Sequence, residues 1–483
     1  MANSKYFYIT TTLPYINSEP HIGFAAEIIR ADVIARFEAQ RGAKVFFNTG
    51  TDEHGLKIYQ KATELGLNVQ EYCDIYSAKF LPLQEKLNLS YNKFIRTTDS
   101  DHEKAAQEFW RRCDASGDIY KKSYQVKYCV GCEMEKTDSE LENGHCSLHP
   151  NQALEIINEE NYFFRFSKYQ DKLLALYKNN PDFVLPGSRL KEITAFVSSG
   201  LQDFSISRLK EKMPHGVAVP NDDSQVMYVW FDALVNYIST LGWPNDSDNL
   251  KNYWPGLQVC GKDNLRPQAA MWQAMLMSAG LPNSKQILVF GFLTANGQKM
   301  SKSLGNTISP YELADKYGAD AVRYYLLAEI ACFEDGDYSE EKFQGRYNSD
   351  LANGLGNLVA RVSNLLEKNE IVTNLKVDLK NPEMVETLSN FTESFRNYRF
   401  NEALQVLWEK IKICDEDLSR KAPWKMTDKK EIENILRPLA QTILNLAYLL
   451  EPFLPNSAQK IQVQFSASQI KKSEALFPRL ILN

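Results

Sequence analysis

The sequence predicts an α/β protein: a Rossmann-type doubly wound parallel sheet, split by an insertion, followed by an all-α helix bundle. Three observations carry this. The first 60 residues alternate strand, loop, helix and strand; a cysteine-bearing segment then interrupts the alternation; and from about residue 346 only helical periodicity remains. At 483 residues the chain exceeds what one hydrophobic core usually serves, and 44% hydrophobic with 24% charged residues is the composition of an ordinary globular protein.

The elements follow in order. YFYITTT at 6–12 is aromatic and β-branched, and the loop LPYINSEP stops it with two prolines and an Asn-Ser pair. Ile22, Ala26, Ile29, Val33 and Phe37 then recur every three or four residues, which makes one apolar helical stripe, with Gly42 placed as a helix terminator. A strand at Val45 to Asn48 feeds the loop GTDEHG. Such a β-α-β unit gathers strand ends, loop and helix N-terminus where ligands bind in doubly wound sheets. The segment 117–225 carries the cysteine cluster and the aromatic run NYFFRF, and reads as an inserted domain. Alternation resumes with VMYVWFDALVNY, LQVCGKD and QILVFGFL. The expected domains are therefore 1–116 and 226–345 for the two halves of the sheet, 117–225 for the insertion and 346–483 for the bundle, where Leu404, Leu407, Trp408 and Ile411, then Leu436, Leu439, Ile443 and Leu446, form apolar faces.

Composition excludes several classes. No apolar run approaches the roughly 18 residues of a membrane span. The start MANSKYFYIT has neither an apolar core nor a basic leader, so a cytoplasmic protein without a membrane partner is expected. A net charge of −6 argues against general coating of nucleic acid, and no DNA partner is expected. The stretch from residue 346 differs, with 19 basic against 17 acidic residues, and Arg420, Lys421, Lys425, Lys429 and Lys430 crowd around Trp424.

Two motifs point to phosphate chemistry. His21-Ile22-Gly23 opens the first helix, whose free N–H groups and positive dipole end attract phosphate, and Gly23 lets a ligand approach the backbone. Lys299-Met300-Ser301-Lys302-Ser303 follows a strand and the turn Asn296-Gly297-Gln298, so two lysines sit on a loop able to follow charge developing on a triphosphate. A third motif points to metal. Cys129-Val-Gly-Cys132 and, after thirteen intervening residues, Cys146-Ser-Leu-His149 offer three thiolates and one imidazole in two knuckles, the donor set of a closed structural zinc site.

PHIGF at 20–24 and KMSKS at 299–303 resemble the two signatures of class I aminoacyl-tRNA synthetases. TTTLPYIN, GTDEHG, VWFDALVNY, GKD at 261–263 and KAPW at 421–424 narrow the resemblance to the methionyl-tRNA synthetase family, over essentially the whole chain. The resemblance implies ligation of methionine to tRNA(Met) with ATP and Mg²⁺. In it, His21, Lys299 and Lys302 are catalytic, and Gly23, Gly261, Asp263 and Ser301 join them in holding ATP. Asp52 takes the methionine ammonium, while Leu13, Tyr15, Trp230, Ala233, Leu234 and Tyr237 line the thioether pocket, where aromatic rings suit a polarizable sulfur. Asn357 and Arg361, spaced i, i+4, with Trp424, resemble anticodon readers. The chain departs from the family at Phe24, where histidine is usual, and at Asn264 and Gln268, where isoleucine and histidine are usual. The insertion, of about 100 residues, is smaller than those of relatives that edit by hydrolysis, so no editing domain is expected. With the chain stopping at Asn483, soon after the bundle, a monomer is expected.

Overall fold

The computed structural model describes residues 5–131, 134–136, 141–300 and 306–481, with the backbone alone at 124–126, 134–135, 157–158 and 299. It divides into two compact units, Met1–Pro20, Arg41–Pro82 and Tyr91–Val289 forming one, and His21–Gln40, Leu83–Ser90 and Phe290–Asn483 the other.

The first unit is built on a six-stranded sheet. Its strands are β1 (Tyr6–Thr10), β2 (Lys44–Thr51), β3 (Lys93–Arg96), β4 (Val184–Leu185), β5 (Leu257–Gly261) and β6 (Gln286–Phe290), in the order β3-β2-β1-β5-β6-β4. The pairings β1–β2, β1–β5, β2–β3 and β4–β6 are parallel. The chain runs from β1 to β2 and β3 on one side and reaches β5 and β6 on the other, so the carboxyl ends of β1 and β5 flank a topological switch point, the place where open α/β sheets bind ligands.

Two features differ from the sequence expectation. The edge strand β4 is only two residues long and lies within the segment read as insertion; so short a strand has no period to detect. VMYVWF does not continue the parallel sheet. Asp222–Met227 pairs antiparallel with Ser207–Leu209 and Ala218–Val219, and Val229–Ala233 is helical, because a buried apolar run fits either structure. Within the segment read as insertion, Ile119–Cys129 and Glu155–Phe164 form a long antiparallel pair, so Asn161–Phe164 of NYFFRF ends a strand and Phe166 opens a 3₁₀ helix.

The second unit contains helix α1 (Ile22–Gln40) and helix α2 (Ala319–Ala328), followed by the bundle helices α3 (Asn357–Lys368), α4 (Val385–Arg396), α5 (Phe400–Lys421), α6 (Lys429–Leu450) and α7 (Pro455–Phe465). Leu404, Leu407 and Ile411 of α5, and Leu436, Leu439, Ile443 and Leu446 of α6, are buried as their spacing requires. Asp32 of α1 ties this unit together. Its carboxylate contacts the Arg323 guanidinium of α2 at 2.7 Å, with both side chains fully buried, Arg36 at 2.7 Å, and the backbone N–H and hydroxyl of Ser90, each at 2.6 Å. Arg323 donates onward to the carbonyls of Phe453, Pro452 and Leu87.

Burial alone raises the Asp32 carboxyl, but Arg323, Arg36 and Ser90 outweigh it and hold the group below the usual carboxylate range. A folded value below the unfolded one means that this contribution is complete above the ordinary carboxylate pKa and is lost as pH falls through the folded-state value. Arg323→Met therefore costs about 3–5 kcal/mol of unfolding free energy in urea titrations near neutral pH. The deficit narrows as pH falls through the carboxylate range, where protonation of Asp32 removes the buried charge that Arg323 had compensated; a pH-independent deficit would contradict the account.

Candidate active site

The phosphate-binding candidates belong to the second unit. His21 precedes α1, and burial pushes its imidazole below the ordinary histidine value, so the ring is neutral at pH 7. Its Nδ1 accepts from the Gly23 N–H at 3.1 Å, which leaves the proton on Nε2 as a donor. The strand Leu293–Ala295 turns through Asn296 and Gly297, both at positive φ, into Gln298–Lys299, the two-residue hairpin that Asn-Gly favours. Asp337 clamps its base, accepting from the Thr294 hydroxyl at 2.6 Å and the Gly297 N–H at 2.7 Å. Ser301 and Lys302 lie outside the described residues, as does the Lys299 side chain. The residues on either side of this segment both meet the start of α1: a Cβ on Gly23 would sit 3.4 Å from the Met300 methyl, and the Ile22 N–H donates to the Ile308 carbonyl at 2.9 Å.

The methionine-binding candidates belong to the first unit. Beyond β1 the chain runs alongside the end of β2, where Tyr15 bridges Asp52 in parallel register and the Asp52 N–H donates to the Pro14 carbonyl at 3.0 Å. Leu13, Tyr15 and the largely buried Asp52 are thereby brought together at the carboxyl ends of the strands. Trp230 and Ala233 are half-buried on the helix Val229–Ala233, and the buried Trp230 Nε1 has no hydrogen-bond partner among the described residues, a donor that suits a ligand or water. Leu234 and Tyr237 are buried in the apolar core, Tyr237 at 2% exposure. Gln268, at a position where the family usually has histidine, donates from its side chain to the Tyr237 hydroxyl and accepts from Gln258 at 3.1 Å. Gly261 ends β5, and Asp263 stands exposed in the following turn, bonded to Asn264 at 3.1 Å.

Sequence reasoning missed the support beneath Asp52. The neighbouring Glu53 is fully buried, bidentate to Arg96 at 2.7 and 2.9 Å, and accepts from Thr51 at 2.7 Å and Thr98 at 2.5 Å. His54 reaches Asp232 at 3.0 Å. The acidic and imidazole groups in GTDEHG were a visible signal, but their partners lie far along the chain.

In the segment read as insertion, Cys129, Cys146 and His149 converge, all donor atoms lying within 4.8 Å of one another; Cys132 lies outside the described residues. His149 Nδ1 is 3.8 Å from Cys129 Sγ and 4.0 Å from Cys146 Sγ, near the ligand–ligand separation of about 3.5–3.8 Å that tetrahedral zinc bond lengths imply. Gly131 forms part of the cradle, since a Cβ there would meet His149 ring atoms at 2.5 and 2.6 Å. Lys57 donates to the Gly131 carbonyl at 2.5 Å.

At the end of the bundle, Trp424 follows Pro423 in a short 3₁₀ turn after α5 and is 45% exposed, so it does not plug the core. The Arg361 guanidinium lies 5.4 Å from the Trp424 ring centroid and is bonded to Asp415 at 2.5 Å and Ser419 at 3.1 Å. Asn357 is half-buried at the start of the same helix as Arg361.

A family model described as "tRNA synthetases class I (M)" matches residues 7–147 and 132–363, and one described as "Anticodon-binding domain of tRNA ligase" matches 383–479. A methionine--tRNA ligase of Thermosynechococcus vestitus is 43% identical over 99% of this chain and 93% of its own. The chloroplastic/mitochondrial methionine--tRNA ligase of Arabidopsis thaliana is 41% identical over 96% and 78%. Among solved structures, Mycobacterium tuberculosis methionyl-tRNA synthetase in complex with methionyl-adenylate superposes with a TM-score of 0.92 at 37% identity, covering 98% of this chain and all of that one. The chain belongs to the methionyl-tRNA synthetase family of class I tRNA synthetases.

Proposed function

We infer that this chain activates methionine with ATP to methionyl-adenylate and diphosphate, and then transfers the methionyl group to tRNA(Met), releasing AMP. One observation carries the reading: the similarity to a synthetase bound to methionyl-adenylate extends over 98% of the chain. Asp52 pairs with the methionine ammonium, as a largely buried carboxylate suits a primary amine. Leu13, Tyr15, Trp230, Ala233, Leu234 and Tyr237 surround the side chain, and Gly261 and Asp263 border the adenosine. The reaction is an attack of the methionine carboxylate on the α-phosphate with diphosphate leaving. His21, with Nε2–H available and no charge to bury, stabilises the crowded α-phosphate together with Gly23, while Lys299, Ser301 and Lys302 hold the diphosphate. Mg²⁺ accompanies ATP and adds charge neutralisation. The proposed action is cytoplasmic and monomeric.

Cys129, Cys132, Cys146 and His149 hold one structural Zn²⁺, and Asn357, Arg361 and Trp424 read the anticodon. The donor chemistry supports the first role, and the exposed indole beside a guanidinium supports the second.

Pyrophosphate exchange into ATP with each of the twenty amino acids tests the reading, which requires exchange with methionine. His21→Ala or Lys302→Ala slows this exchange by about 10²- to 10³-fold with little change in methionine affinity, the scale of one lost transition-state partner; near-normal rates would remove these groups from phosphate chemistry. Metal analysis gives one zinc per chain, and Cys146→Ala loosens the insertion without abolishing exchange; zinc-free protein with normal folding would exclude the site. Trp424→Ala weakens tRNA recognition by roughly 1–3 kcal/mol and leaves tRNA-independent exchange intact, whereas parallel loss of both would make Trp424 a structural residue.

A further inference from the structure

Two buried polar side chains connect the segments that hold the two ends of methionine. His54 stands two residues after Asp52, and Asp232 stands two residues after Trp230 and beside Ala233. His54 Nδ1 lies 3.0 Å from a carboxylate oxygen of Asp232, across 178 positions of sequence, and both side chains are almost wholly removed from water. Packing alone does not explain such a pair, because an apolar pair of similar volume would serve as well without the desolvation of two ionisable groups.

The surroundings favour a positioning role. The helix Val229–Ala233 is a single turn, too short to hold its own direction, so the orientation of Trp230 and Ala233 depends on tertiary ties. On the other side, the loop is rigid at Glu53 through Arg96, Thr51 and Thr98. His54 carries that rigidity across to Asp232. Around the pair, Glu103 approaches His54 Nε2 at 4.0 Å, and the His215 ring stands edge-on to His54 at 5.0 Å. His215 is itself bonded to the Glu53 carbonyl at 2.9 Å, with Cys73 Sγ 3.7 Å away. His102 is bonded to Ser239 at 2.9 Å. Burial pushes the His54 ring down to about 4 and the Asp232 carboxyl up, so charge is disfavoured on both partners and the hydrogen bond is what remains.

We propose that His54 and Asp232 are positioning residues for methionine, their hydrogen bond setting the spacing between Asp52 at the ammonium and Trp230 with Ala233 at the side chain. The proposal rests on the methionine-activating function inferred above. Neither residue touches ATP in this scheme, so loss of the pair acts on methionine alone.

The test is methionine-dependent pyrophosphate exchange and calorimetric methionine binding, with the parent beside Asp232→Leu, Asp232→Asn, His54→Leu and His54→Gln. Each leucine variant raises the methionine KM and Kd by about 10- to 100-fold, the scale of a small misplacement, with the ATP KM within about two-fold, while the amide variants stay within about three-fold of the parent. An active parent whose leucine variants keep methionine affinity overturns the positioning role alone. Equal losses for methionine and ATP, or unfolding of both leucine variants, also overturn it by making the pair structural. A parent inactive with methionine overturns the functional reading and the proposal with it.

Discussion

The second unit depends on one buried carboxylate. Asp32 sits in the middle of α1, where a charge without partners would cost several kcal/mol, and its contacts with Arg323, Arg36 and Ser90 saturate it. Arg323 then spends its remaining donors on the carbonyls of residues 87, 452 and 453, where the chain turns and no helix partner is available. Just beyond, Asp320 caps the start of α7, accepting from the N–H groups of Asn456 and Ser457. The helix that presents His21 is thus fixed to the elements that lead into the bundle. The Ile22–Ile308 hydrogen bond and the approach of Met300 to Gly23 build on that fixed helix end.

Much of the fold was legible because it follows from period. The stripe of α1, the strands around Tyr8 and Phe47 and the apolar faces of α5 and α6 all repeat over enough residues to register. What escaped was short or ambiguous. Val184–Leu185 is a sheet edge two residues long, and the apolar run at 226–231 divides between an antiparallel strand and a helical turn. The joining of α1 to the C-terminal unit was also hidden, since it rests on Asp32 and Arg323, nearly 300 positions apart, and no local pattern announces a long-range ion pair.

The candidate site shows the same division. Residues with distinctive chemistry in a short motif, such as His21 and the cysteine knuckles, stood out as candidates in the chain, and Asp52 became one through the family resemblance. Their supports could not. Glu53, His54 and Asp232 look like ordinary polar positions until the fold places Arg96 against the first and joins the other two. Gln268 is similar: its departure from the family pattern was visible, but its bond to the Tyr237 hydroxyl emerges only when the turn after β5 is in place.

Under the anticodon role proposed for Arg361, its contacts would bear on the thermodynamics of RNA recognition. A free arginine at the surface samples many rotamers and loses that freedom when it binds a base. Here Asp415, Ser419 and the Trp424 ring already restrict the guanidinium. In the anticodon role, most of the ordering entropy has been lost during folding, so binding RNA requires little further loss. Asp415 also offsets part of the positive charge, which weakens attraction to any passing phosphate more than it weakens a planar, directional contact with a base edge. In that proposed role, the pair that lowers the entropic cost of the right ligand would also lower the affinity for polyanions in general, so that discrimination would improve without a larger interface.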